Sequence, residues 1–137
     1  MDIKSGVYVL DSNAVSALLL RADKKFQVFN LSLERIPSKL VLLEALKHSF
    51  ALPDYVGSNW DALEESLRDL PTDHKEGFVL CVDPGEALLD LSRNDLYTFI
   101  SILRGTAAFW ASEGIVFATV FVSSSGALME AVADKQG

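Results

Sequence analysis

A chain of 137 residues, half of them hydrophobic, is long enough to build one packed core and too apolar to stay disordered. Its formal net charge of −7 argues against generic nucleic-acid binding, which needs a basic surface to neutralise phosphates. No apolar run approaches the ~18 residues of a membrane span, residues 1–14 (MDIKSGVYVLDSNA) lack a long apolar signal core, and the single cysteine, Cys81, cannot close an intrachain disulfide. The expectation is one domain over 1–137 in a reducing cytoplasm, with no membrane contact.

Residues 7–10 (VYVL) read as a short strand. Asp11, Ser12 and Asn13 are each suitable N-caps, and 14–21 reads as a helix. Residues 26–31 (FQVFNL) read as a second strand. Strand, helix, strand is the βαβ pattern, which implies parallel pairing and a right-handed crossover. Pro37 stops the second strand, and Ser38 caps a helix over 39–50 (KLVLLEALKHSF). Leu40, Leu43, Leu46 and Phe50 mark its apolar stripe, which polar residues such as Lys47 interrupt. His48 lies near the helix C-terminus, where a surface or dipole-capping role outweighs ligation. No E-x-x-H or H-E-x-x-H spacing accompanies it.

The stretch 52–70 (LPDYVGSNWDALEESLRDL) is the most informative in the chain. Pro53 and Gly57 signal a turn, and Ser58 or Asn59 starts a helix. Trp60, Leu63, Leu67 and Leu70 then form the i, i+3, i+7, i+10 stripe of a core-facing surface. Between residues 54 and 69 there are five acids (Asp54, Asp61, Glu64, Glu65, Asp69) and one base (Arg68), a local charge of −4. Asp61 and Glu65 are like charges at i, i+4, which costs a helix roughly 0.2–0.5 kcal/mol. Asp61 also suits the positive end of the helix dipole, and Glu64 pairs favourably with Arg68. Glu65 has no such compensation on its own helix, which makes it the first candidate for contact with a cationic partner.

Residues 71–77 (PTDHKEG) read as a polar loop with His74 solvated. The apolar run 78–82 (FVLCV) suits a strand buried on both faces, with Cys81 as a small core residue. Pro84 and Gly85 turn the chain, and 86–91 makes a helical turn or two. Ser92 and Asp95 have capping-box spacing. Leu96, Phe99, Ile100, Leu103, Ala107 and Trp110 follow at helical spacing to about Glu113. Gly105 either permits close packing or marks a kink, and Gly114 is a natural C-cap. Residues 115–122 (IVFATVFV) read as another buried strand, 127–133 as a short helix, and 134–137 as a fraying end. Apolar strands alternating with helices indicate an α/β fold with a parallel sheet.

Little in this pattern looks catalytic. There is no G-x-S-x-G elbow, P-loop, G-x-G-x-x-G string or clustered Cys/His signature, so no metal or cofactor is implied. Ser123, Ser124 and Ser125 suit a strand-end loop better than a nucleophile. Asp61 and Glu65 project from one convex helix, whereas a glycosidase needs carboxyl groups facing each other across a substrate. A small hydrolase using that pair is therefore the weakest reading. Carboxylates on a rigid helix are better suited to charge-assisted hydrogen bonds with Arg, Lys or His of another protein.

Leu52, Pro53, Tyr55, Gly57, Asn59, Asp61, Ala62 and Leu63 stand in the ungapped order L-P-x-Y-x-G-x-N-x-D-A-L, with Leu67 one turn further on. This string resembles the loop and second-helix signature of the barstar family, intracellular inhibitors of the ribonuclease barnase. The resemblance covers 26–124. It leaves 1–25 as an N-terminal extension and 125–137 as a tail or short helix. It implies three parallel strands (26–31, 78–82, 115–122) packed with helices, to which 7–10 adds a fourth strand at an edge. It also implies a non-enzymatic protein that covers the active site of a basic nuclease, a ribonuclease, without touching nucleic acid.

The implied contact residues are Tyr55, Gly57, Asn59, Asp61, Glu64 and Glu65, with Asp54 and Arg68 at the rim. Tyr55 matches the tyrosine that packs against the nuclease, and Gly57 and Asn59 match the loop leading into the binding helix. Asp61 matches a contacting acid, and Glu65 stands where the family has its central aspartate. This chain departs from the pattern elsewhere. Glu64 replaces a tryptophan, Val56 an aromatic and Asp69-Leu70 a Gly-Trp pair, and Phe109 falls where a later helix offers an acid. These departures leave a second reading, a barstar-like interaction module for a basic partner that is not a nuclease.

Overall fold

The computed structural model of the protein describes residues 3–22, 24–33, 35, 38–73 and 75–133. The readings for Pro37, His74 and 134–137 lie outside these residues. Four strands, β1 (Gly6–Leu10), β2 (Phe26–Ser32), β3 (Gly77–Asp83) and β4 (Val116–Val122), form one parallel sheet in the order β1-β4-β3-β2. The helices are α1 (Ser12–Ala22), α2 (Lys39–Ser49), α3 (Trp60–Leu67), α4 (Arg93–Ser112) and α5 (Gly126–Ala133), with a 3-10 helix at Gly85–Asp90. The α/β class and the edge position of β1 agree with the sequence reading, and the sheet has four strands rather than the family's three.

The βαβ reading needs one correction. β1 and β2 are parallel but do not pair. They occupy opposite edges, with β4 and β3 between them, so α1 crosses the whole sheet. The cause lies in the central strands. Phe78 to Val82 and Phe117 to Val122 are buried throughout, and such runs need cover on both faces. The less apolar β1 and β2 are left with the edges. On one face α1 covers Val79, Cys81, Val120 and Val122. On the other, α2, α4 and α5 cover Phe78, Leu80, Phe117 and Phe121.

Cys81 sits under α1 and is 6% exposed. Burial, reinforced by the nearby charge of Asp83, pushes its thiol pKa up, which keeps it protonated and unreactive. Thr119 is fully buried in β4, and its hydroxyl has no hydrogen-bond partner among the described residues. Thr119→Val keeps the shape and removes the unsatisfied group, so it is expected to raise the unfolding free energy by about 1 kcal/mol. A denaturation midpoint lower than wild type would overturn this.

Local signals set most helix ends. Asp11 caps α1 by accepting the Ala14 N–H at 2.8 Å, so the helix starts at Ser12, two residues before the expected start. Ser38 accepts the Val41 N–H at 3.3 Å, and Ser92 accepts the Asp95 N–H at 3.1 Å. Gly114 ends the chain's longest helix with φ +75°, and Gly105 does not interrupt it. The stripe of α2 differs from the expected one. Leu42, Leu43, Leu46 and Phe50 face the core, while Leu40 is 58% exposed. The segment is so leucine-rich that two stripes share helical spacing, and packing on β2 selects one of them.

Candidate partner-binding site

The acidic helix α3 is short and firmly held. Asn59, in extended conformation, caps it by accepting the Ala62 N–H at 2.8 Å. Leu63 and Leu67 point inward and are buried, as is Leu70 just beyond the helix. Trp60 is half-buried at the edge of the core: it stacks on the buried Phe99 at 6.1 Å, and the Lys39 ammonium lies 5.8 Å from its ring centre. At the other end, the buried Trp110 indole N–H donates to the Leu67 carbonyl at 2.8 Å. That bond satisfies one of the carbonyls every helix leaves open at its C-terminus. The helix rests on α2 and α4 and turns its polar side outward.

The loop before α3 is pinned as well. Ala51 takes a left-handed conformation (φ +53°) to leave α2, and the Leu52 N–H donates to Lys47 O at 2.9 Å. The Val56 N–H donates to Pro53 O at 3.0 Å, and the Ser58 hydroxyl donates to the Glu44 carboxylate on α2. A Cβ on Gly57 would lie 2.8 Å from the Asn59 side-chain nitrogen, so a larger residue there would disturb the cap. Gly57 and Asn59 therefore have structural work in shaping the loop and starting the helix.

The candidate residues fall into three groups. Tyr55 is 88% exposed and stands in solvent rather than anchoring the loop. Asp54, Asp61 and Glu65 are exposed. Glu64 is engaged by Arg68 at 3.8 Å, and the Arg68 guanidinium also lies 5.5 Å from the Phe109 ring centre on α4. Gly105 leaves room for that guanidinium, since a Cβ there would lie 3.3 Å from it. An Arg–aromatic cluster thus covers the surface where α3 meets α4.

Beside α3 lies a groove of about 1040 Å³, bordered by the loop, α3 and the edge strand β2. Phe29, Phe50 and Leu70 contribute apolar surface to it, and Glu65, Asp69 and Asp73 contribute carboxylates. The groove gathers Tyr55, Gly57 and Glu65 from the candidate set, but not Asp54, Asn59, Asp61, Glu64 or Arg68. Asp69 and Asp73 were not singled out as site residues from sequence. The signal for them was the i, i+4 spacing of Glu65, Asp69 and Asp73, which continues past the end of the helix. Among the described residues no group of three His, Cys, Asp or Glu side chains could hold a metal ion. No helix among them is long and apolar enough to cross a membrane.

Comparison with known proteins places this geometry. The family model described as Barstar (barnase inhibitor) matches residues 26–122. No curated protein matches the chain. Among solved structures, the Aeropyrum pernix ORC2 protein in its ADP form is similar with a TM-score of 0.57 at 15% identity, over 97% of this chain and 39% of that one. The same protein in ADPNP–ADP complexes gives a TM-score of 0.51 at 12% identity, over 96% and 38%. The chain thus spans well under half the length of those structures. At such identities the likeness concerns the fold alone, and the P-loop string that would hold a nucleotide is missing from this sequence.

Proposed function

The chain belongs to the barstar family, and we propose that it is a cytoplasmic protein inhibitor that seats α3 and the preceding loop over the active site of a basic nuclease, a ribonuclease. One observation carries this reading. Asp61 and Glu65 stand exposed on a helix whose N-terminus is capped, whose inner face is buried and whose last turn is tied to α4. A helix held in this way needs little backbone ordering on binding, so the entropic cost falls mainly on the two side chains. A ribonuclease site collects Arg, Lys and His to hold phosphate. The two carboxylates would meet those groups through charge-assisted hydrogen bonds and exclude the substrate. The inhibitor needs no metal or cofactor and performs no chemistry.

The proposed contacts are Tyr55, Asp61 and Glu65, with Gly57 and Asn59 shaping the loop and Asp54 at the rim. Glu64 contributes least, because Arg68 already engages it. Opposite charge would steer association, a behaviour for which barnase and barstar are themselves the standard example. Association is therefore expected to slow as salt rises.

The test is capture from native cytosol with wild type and with Asp61→Ala/Glu65→Ala, followed by nuclease assays on the captured protein. Wild type should retain a basic nuclease and silence it. The double variant should keep its fold and lose roughly a hundredfold in affinity, the worth of two hydrogen bonds to charged groups. A partner held equally by both proteins would remove the mechanism. A basic partner without nuclease activity would instead favour an interaction module, a reading that the Arg68–Phe109 cluster supports because it alters the family's contact surface.

A further inference from the structure

We propose that the groove between α3, the 51–57 loop and β2 receives an extended segment of the partner protein in which an apolar or aromatic side chain is flanked by Arg or Lys. The proposal rests on the reading that this chain docks a basic protein, and it assigns a second, recessed part of the contact to the groove beside the outward face of α3, with Glu65 shared between the two. At about 1040 Å³ the groove is at the upper end of the ~300–1,000 Å³ typical of ligand pockets, so it has room for more than one side chain. Phe29 is only half-buried although it packs against Phe50, 4.4 Å between ring centres. Its remaining apolar surface is there for an incoming side chain to cover. Gln27 on the same edge strand is exposed, so the groove is open at the sheet edge, as an extended chain requires.

Charge selects the flanking residues. Glu65, Asp69 and Asp73 line the groove, and no Lys, Arg or His is among the described residues that do so. None of the three carboxylates has an ion-pair partner among the described residues, unlike Glu64. A cation alone would be served equally well by any exposed acid on this surface. Only a segment that joins cations to an apolar side chain uses both the carboxylates and the half-covered Phe29.

The test is titration of the isotope-labelled full chain with the peptide acetyl-Arg-Phe-Arg-amide, followed by amide chemical shifts. Saturable shifts are expected at Ala51, Val56, Ser66 and Leu70, with none from acetyl-Glu-Phe-Glu-amide. Asp69→Asn/Asp73→Asn should weaken binding about tenfold or more, since charge-assisted contacts are lost. Ser66→Phe, on the solvent-accessible groove side of α3, should abolish it by filling the space. Unsaturating shifts spread over Asp61 and the other surface acids would overturn the proposal. So would spermidine binding as tightly as the peptide. Asp69 and Asp73 lie outside the proposed nuclease contacts, and the assay contains no nuclease. Failure here therefore leaves the inhibitor reading standing, whereas a basic partner held equally by wild type and Asp61→Ala/Glu65→Ala would remove the α3 contacts and leave the groove as the docking surface.

Discussion

Gly77→Ala is expected to lower the unfolding free energy by about 3 kcal/mol, at the upper end of the usual cost of overpacking. A Cβ at Gly77 would lie 2.4 Å from the carbonyl oxygen of Val116 and 2.8 Å from the Val116 Cβ. These two residues are partners in the β3–β4 register, and Gly77 is also paired with Phe26 of β2. The nearest obstacle is backbone, so rotation of a side chain cannot relieve it, and β3 would have to separate from β4 at their first residues. A loss of that size is a large part of the roughly 5–15 kcal/mol that holds a typical domain folded. Equilibrium denaturation of the variant measures it directly. A loss under about 0.5 kcal/mol would mean that the strand ends are free to part, against the close approach seen here.

Trp110→Phe should cost about 2–4 kcal/mol and should weaken α3 selectively. The indole is 6% exposed and packs against Phe78, 5.2 Å between ring centres. Phenylalanine keeps an aromatic ring there but loses the N–H that donates to the Leu67 carbonyl at 2.8 Å. An unsatisfied buried carbonyl costs about 1–3 kcal/mol, and the smaller ring leaves a void that adds to it. The local consequence is more specific than the total. The last turn of α3 loses its tie to α4, so amide hydrogen exchange at residues 65–69 should speed up more than in β3 or β4. Partner affinity should fall too, although the buried residue 110 lies outside the proposed contacts, because Glu65 would then have to be ordered on binding. Uniform acceleration of exchange across the chain would show that Trp110 is a general core residue and not a clamp on the binding helix.

Both residues mark a limit of sequence reading. Gly77 read as the end of a polar loop, since glycine beside an apolar run is a turn signal, yet it is the first residue of β3. Trp110 read as one more apolar residue on a helix stripe, which is true and leaves out its hydrogen bond. Phe109 was legible as a departure from the family pattern, but its contact with Arg68 was not, because the two residues lie on different helices.

What the sequence determined by itself was whatever depends on neighbours a few residues apart. The buried strands β3 and β4, the caps at Ser38, Asn59 and Ser92, the inward stripe through Leu63, Leu67 and Leu70 and the Glu64–Arg68 pair all follow from local spacing and local hydrogen bonding. The family signature lies in one ungapped string for the same reason. Tertiary structure alone decided the strand order β1-β4-β3-β2, the choice of Leu42 over Leu40 as a core residue, and the half-burial of Trp60. It also decided which acids share a groove and which one is engaged on the far side of α3. The physical reason is that periodicity states which face of an element is apolar but not which other element will cover it. That choice is settled by packing between segments far apart in the chain, as when β2 and α3 bring Phe29 and Ser66 to the two sides of one groove.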